Sequence, residues 1–358
     1  MVVKLKATLL KWITNVKTYS FDRTTIKKIV IFRYDRIGDM VVSLPLCKAL
    51  HSGLPDAKIT VVASGVNACI AQDSSFIDQT VLKPKGLLKW ITCLLLIRSE
   101  KPDLAIDLNH AVTPHTIFAI RIIRPKHVAS PFKDGRWGVP GSDLKLFDLM
   151  PVQHPQKYRR PIAETYLDIA RLIGCSTKDC LPYPLPHYET SNPPDNSYVL
   201  LNPCGSRETM RIPDSYLLEI ARFLAHESPS WKIIVPSMAD NWNSLLSLFC
   251  NTSNVNVLDP SPTVRPLLPL IQFANLVITP DTALVHIACA YKTPLVAIYT
   301  SQQELFEQWK PLNNDNARVI RSAKDKSLDG FSVTELLQNI SELARLLPDG
   351  SKKSFRVR

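Results

Sequence analysis

With 358 residues, 45% of them hydrophobic, the chain is long enough for two ordinary globular cores rather than one. Its formal net charge of +11 calls for an anionic partner or surface. A nucleic-acid partner is excluded for want of zinc spacing or an RNP-like aromatic motif, and a spanning helix because the longest apolar run, Leu87 to Ile97, is interrupted by Lys89 and stopped by Arg98. The eight cysteines form no C-x-x-C pair and no metal-ligand spacing, and several sit in apolar segments, which suits a reducing, cytosolic compartment. Lys4, Lys6 and Lys11 break any signal-peptide core. Residues 1–28 set these lysines, with Lys17, Arg23, Lys27 and Lys28, among Leu5, Leu9, Leu10, Trp12 and Ile13. That pattern is a basic amphipathic segment, either lying on a membrane surface or packing as an ordinary helix on the domain.

From residue 29 onward strand and helix alternate. Ile29-Val30-Ile31-Phe32 predicts a strand buried on both faces, followed by a polar turn with Gly38 and a helix over about 40–52. Asp39 falls just past the carboxyl end of that strand, where open α/β sheets bind ligands, and reads either as a helix N-cap or as a group turned to a ligand. Strands at 29–34, 58–63, 78–82 and 103–108, with helices near 86–99, 111–123 and 158–174, make βαβ units and a mostly parallel sheet. Asn109 and His110 end the last of these strands. With Arg36, Arg33 and Lys48 they suit the carboxylates or phosphates of an anionic acceptor, and suit ordinary surface positions equally well. Residues 129–157 read as a long irregular loop near the mouth of a site.

The proline-dense stretches Leu181–Pro186 and Ser191–Asn196 can hold neither a helix nor a central strand. The predicted organisation is a first domain over 29–185, a linker over 186–197, a second domain over 198–330, and a closing helix and basic tail over 331–358 that could pack back on the first domain. The second domain repeats the alternation, with strands at 198–202, 232–235, 255–258, 275–279 and 294–299. Its helices begin near Pro213, Asp240 and 263, and another runs from Thr282 through Ala290. Thr279-Pro280-Asp281-Thr282-Ala283-Leu284 leads from a strand end into a helix start, so its amides and the helix dipole offer an anion site. Asp281 and Thr282 also suit N-cap roles. The loop Ser206 to Arg211 adds hydroxyls and two guanidinium groups, Arg207 and Arg211, suited to bidentate phosphate contacts. His286, one turn into its helix, is expected to touch the ligand.

These residues carry a resemblance. Arg33-x-Asp35-Arg36-Ile37-Gly38-Asp39 with Leu44-Pro45 resembles the N-terminal signature of the family 9 glycosyltransferases, the lipopolysaccharide heptosyltransferases. Asp281-Thr282-x-x-x-His286-x-Ala288-x-Ala290, followed by Thr293-Pro294-Leu295, is similar to their donor motif. The resemblance implies an α/β GT-B architecture, two Rossmann-like domains facing across a cleft, with acceptor on the first and nucleotide sugar on the second. It implies metal-independent inverting transfer of a heptose from ADP-heptose to the inner core of lipopolysaccharide or lipooligosaccharide, with no cofactor. The partners implied are the nucleotide sugar and an anionic glycolipid, the lipid A–Kdo core, at the cytoplasmic face of the inner membrane. By motif match Asp39 is the catalytic base, Asp281, Thr282, Ala283, Leu284 and His286 surround the diphosphate and sugar, and Asp240 holds the ribose. The chain departs from the pattern at Met210, Ile212, Ala283 and Thr300, where lysine, tryptophan, glycine and glycine are usual. Those departures keep two alternatives open, a degenerate non-catalytic nucleotide- or glycolipid-binding member and a nucleotide-sugar epimerase on the same fold. The absence of any G-x-G-x-x-G after a strand argues against a nicotinamide oxidoreductase.

Overall fold

The structure is a computed structural model that describes residues 2–17, 19–189, 197–205 and 207–346. The chain forms two compact units that divide between Pro186 and His187. The first contains α1 (Val2–Thr14), β1 (Lys28–Arg33), α2 (Ile37–Val41), α3 (Leu44–Gly53), β2 (Lys58–Ala63), α4 (Ala68–Gln72) and β3 (Gln79–Leu82). After these come α5 (Leu87–Ser99), β4 (Leu104–Asp107), α6 (Pro114–Ile123), β5 (His127–Ala129) and α7 (Ile162–Ile173). Its five strands are all parallel, in the order β3-β2-β1-β4-β5. β1 is central, with Phe32 opposite Val62 on one side and Asp107 on the other, which is why its residues are apolar on both faces.

The expected helix over 40–52 is two helices. Pro45 lacks an N–H and constrains the residue before it, so the chain breaks at Val42–Ser43 and restarts with Pro45 in the first turn of α3. α1 packs on its unit through Leu10 and Thr14, one helical turn apart. β5 ends where the expected irregular stretch 129–157 begins, and from that stretch Leu144, Leu146 and Phe147 join the core formed by Val30, Phe32, Ala105 and α6.

The second unit runs β6 (Tyr198–Leu201), α8 (Asp214–Glu227), β7 (Lys232–Val235), α9 (Trp242–Leu248), β8 (Val255–Val257), α10 (Leu267–Phe273) and β9 (Leu276–Pro280). It continues with α11 (Ala283–Tyr291), β10 (Leu295–Tyr299), α12 (Gln303–Trp309), β11 (Ala317–Arg321) and α13 (Val333–Leu346). Six parallel strands are ordered β11-β10-β9-β6-β7-β8. α13 does not serve the first domain as the sequence suggested. Its i, i+4, i+7 stripe Leu336, Ile340 and Leu343 is buried in the second unit's own core with Leu328, Phe331 and Ile320.

Candidate active site

In the first unit the turn after β1 carries Asp39 into the first turn of α2. Its carboxylate accepts the Arg36 backbone N–H at 3.3 Å, so it caps the helix from the third position, and Arg36, not Asp39, is the N-cap residue. The side chain keeps 19% of its surface exposed. Behind it Arg33 is buried and lies 3.8 Å from Asp39. Its guanidinium also donates to Ser43 Oγ at 2.9 Å, to Asp35 at 2.9 Å and to the Tyr166 hydroxyl. Ser43 Oγ in turn donates to the Asp39 carbonyl at 2.6 Å, and Asn67 donates to the Arg33 and Arg36 carbonyls. Burial pushes the Asp39 carboxyl above the usual carboxylate range, with Arg33 opposing the shift and Asp35 adding to it. Burial pushes Tyr166 up to about 12, so it stays a neutral partner for Arg33.

Arg33 therefore supports Asp39 from inside and does not present its charge to an acceptor, and Lys48 spends its ammonium on the Asp179 carbonyl at 2.6 Å. Arg36 is exposed beside Asp39. Asn109 and His110 are half-buried at the end of β4 and pinned by the segment Phe132–Asp134: Asn109 donates to Asp107 at 3.1 Å, His110 Nδ1 bonds the Phe132 carbonyl at 3.2 Å, and Lys133 donates to the Asn109 carbonyl. Sequence reasoning missed Lys133. It is wholly buried and pairs with the equally buried Asp107 at 2.6 Å, which ties the loop to β4. Its burial depresses the ammonium's proton affinity and Asp107 restores part of it. A lysine inside an irregular loop gives no signal of this, because only the tertiary fold brings it to β4.

In the second unit the ends of β6, β7 and β9 bring a second set together. Asn202, just past β6, donates to Thr279 Oγ1 on β9 at 2.9 Å and to the Cys204 carbonyl at 3.0 Å. Asn241, after β7, donates to Cys204 Sγ at 3.2 Å. The Cys204 thiol is raised chiefly by burial, and Arg211, Asp240 and Asp214 are near enough to act on its charge. Asp240 is exposed, and Arg211 pairs with Asp214 at 2.6 Å. Arg207 is exposed, and Ser206 lies outside the described residues. Gly205 is required here: a Cβ would stand 2.6 Å from Met210 Cβ and 2.8 Å from its carbonyl oxygen, so Met210 helps close the loop. Ile212 is fully buried in the core.

Thr282 is the N-cap of α11: its hydroxyl accepts the Leu284 N–H at 3.2 Å and meets Thr279 Oγ1 at 3.0 Å. Leu284 thus gives its amide to the cap. Ala283 occupies the first helical position, where backbone N–H groups point out of the helix end. Asp281 is half-buried beside it, its backbone N–H bonded to the Ile298 carbonyl at 2.9 Å. His286 is 2% exposed, its ring lies 5.7 Å from that of Trp309, and burial lowers its pKa to about 4, which keeps the imidazole neutral. Among the described residues no group of three or more His, Cys, Asp or Glu side chains is placed to hold a metal ion.

Residues 178–340 match glycosyltransferase family 9 (heptosyltransferase). Lipopolysaccharide heptosyltransferase 3 of Escherichia coli is 21% identical over 350 residues, covering 88% of this chain and 97% of that protein. The structure of E. coli ADP-heptose lps heptosyltransferase II superposes with a TM-score of 0.70 at 18% identity, covering 90% of this chain and 99% of the other. E. coli heptosyltransferase WaaC with ADP gives a TM-score of 0.67 at 16% identity, covering 88% and 99%. The second half of the chain thus matches the family 9 heptosyltransferases, and the likenesses together support a glycosyltransferase of GT-B architecture.

Proposed function

We propose that the protein transfers a heptose from ADP-heptose, with inversion and without a metal ion, to the inner core of lipopolysaccharide or lipooligosaccharide. The reading is carried by Asp39: a partly exposed carboxylate of raised proton affinity, held by a buried arginine at the carboxyl end of the central strand. In the reaction an acceptor hydroxyl attacks the anomeric carbon, Asp39 takes the hydroxyl proton, and the C–O bond to the diphosphate breaks with its electron pair leaving on ADP. A carboxylate with a raised pKa is the stronger base for that step. The second unit is read as the donor holder, with Asp240 on the ribose and the leaving charge met by the Ala283 amide, the α11 dipole and the cations Arg207 and Arg211. The E. coli relative that holds ADP supports the nucleotide, and the phosphates of a lipid A–Kdo core suit Arg36 with Asn109 and His110 beside it.

The test is mass spectrometry of products from a panel of nucleotide sugars and truncated core acceptors. ADP-heptose is expected to give transfer that EDTA leaves unchanged. Asp39→Asn is expected to lose at least a thousandfold in turnover while ADP binding stays within twofold, on the scale of a lost catalytic base. Transfer by Asp39→Asn at the wild-type rate sinks the mechanism, and release of an epimerised sugar without acceptor sinks the transferase reading.

A further inference from the structure

The irregular loop after β5 is held at two ends. At its inner end Lys133 donates to Asp107 and to the Asn109 carbonyl. There the Phe132 carbonyl also bonds His110 Nδ1 at 3.2 Å, and the Asp134 N–H donates to the His110 carbonyl at 3.1 Å. At its outer end the loop meets α1. Lys11 pairs with Asp143 at 3.5 Å, and the Lys6 ammonium stands 5.7 Å from the centre of the Trp137 ring. Leu10 is buried, with Ala7, Ile13 and Val16 partly buried, in the same apolar cluster as Val139, Leu144, Leu146 and Phe147 of the loop. The opposite side of α1, with Leu5, Leu9 and Trp12, is exposed.

The two ends are joined by a turn that its surroundings must hold. Arg136 and Val139 exchange backbone hydrogen bonds at 2.9 Å across Trp137-Gly138, and both turn residues have positive φ, 52° and 78°. A large aromatic residue rarely takes that backbone conformation, so Trp137 keeps it only because its side chain is fixed. Arg136 covers the ring at 4.6 Å and Lys6 flanks it, and Arg136 in turn donates to the Val112 carbonyl just before α6 at 2.7 Å. Gly141 then brings the outer end back against the inner one, since a Cβ there would overlap the Lys133 carbonyl. A displacement at Trp137 or Asp143 is therefore passed to Lys133, and through Lys133 to Asn109.

We infer that α1 braces the acceptor loop, so that the helix preceding the first strand sets where Asn109 and His110 stand, with Lys6, Leu10 and Lys11 as positioning residues. This rests on the reading of Asn109 and His110 as acceptor groups. The experiment joins amide hydrogen exchange of the full chain, without ligands, to steady-state kinetics with a truncated core acceptor. In Leu10→Ala/Ile13→Ala, exchange over 134–147 is expected to rise about tenfold while the second unit exchanges as in the wild type. Acceptor KM is expected to rise about fivefold, with kcat and the ADP-heptose KM within about twofold, because binding and not chemistry is lost. Lys11→Glu, at an exposed position where folding is not at stake, is expected to speed exchange over the same residues about threefold, and Lys11→Glu/Asp143→Lys to restore it. Wild-type exchange in Leu10→Ala/Ile13→Ala, or a charge swap that restores nothing, overturns the brace. A faster loop with an unchanged acceptor KM overturns its bearing on the acceptor. Because exchange needs no sugar chemistry, a chain that transfers nothing to core acceptors fails the transferase reading and leaves the exchange result standing.

Discussion

Asp39 is set between two opposing charges, and both are removable. Asp35, which raises its proton affinity, is 36% exposed, and it also competes for the buried Arg33 that lowers it. Asp35→Asn removes the repulsion and frees Arg33 for Asp39, so both effects lower the Asp39 pKa. A general base works deprotonated, so activity falls as pH drops through that pKa, which lies above the ordinary carboxylate range in the wild type. The acid limb of kcat/KM against pH is therefore expected to move to lower pH in Asp35→Asn, and a limb that moves up or stays put removes Asp39 as the titrating group. A motif of Arg, Asp, Gly and Asp identified this turn. It did not tell that Arg33 faces inward, because an arginine closing an apolar strand is equally compatible with either direction until Tyr166, on a distant helix, supplies the buried partner.

Two ties set the elements that surround the site. Lys133 anchors the loop before α7 to β4 through Asp107, and both side chains are fully buried. Lys133→Met removes the ammonium paired with that buried carboxylate, which keeps its hydrogen bonds from Asn109, and is expected to cost about 3 kcal/mol in urea unfolding, whereas loss of an exposed pair costs about 1 or less. At α11, Thr282→Ala removes the N-cap bond and is expected to cost about 1 kcal/mol, with Thr282→Ser restoring most of it. Elements with a strong apolar pattern were legible: β2 and β7 fall on the expected residues, and α5 and α7 fall within a few residues of expectation. Four short elements were not: α4, β5, α12 and β11 have between three and seven residues each, too few for a period to stand out, and their ends are set by neighbours in the sheet or core. The helix break before α3 was written in Leu44-Pro45 and was passed over, although a proline there stops any helix that arrives from Ile37.

At the level of the molecule the two units have separate cores, one around Phe32 and one around Ile278. ADP is therefore expected to slow amide hydrogen exchange at the ends of β6 and β9 and at the start of α11, and to leave β2 and β3 unchanged; slowing confined to β2 and β3 would falsify the placing of the nucleotide in the second unit. The doubled α/β plan was legible from two runs of alternating strand and helix around a proline-dense stretch. The home of α13 was not, because an amphipathic helix shows that it has a core-facing side without showing which core. The leucines that α1 and α5 leave exposed on the first unit also govern how the protein behaves in solution. In dilute buffer the surplus of positive charge keeps molecules apart, and screening it lets those leucines find one another. Rising ionic strength should then drive the protein toward self-association and cloudiness.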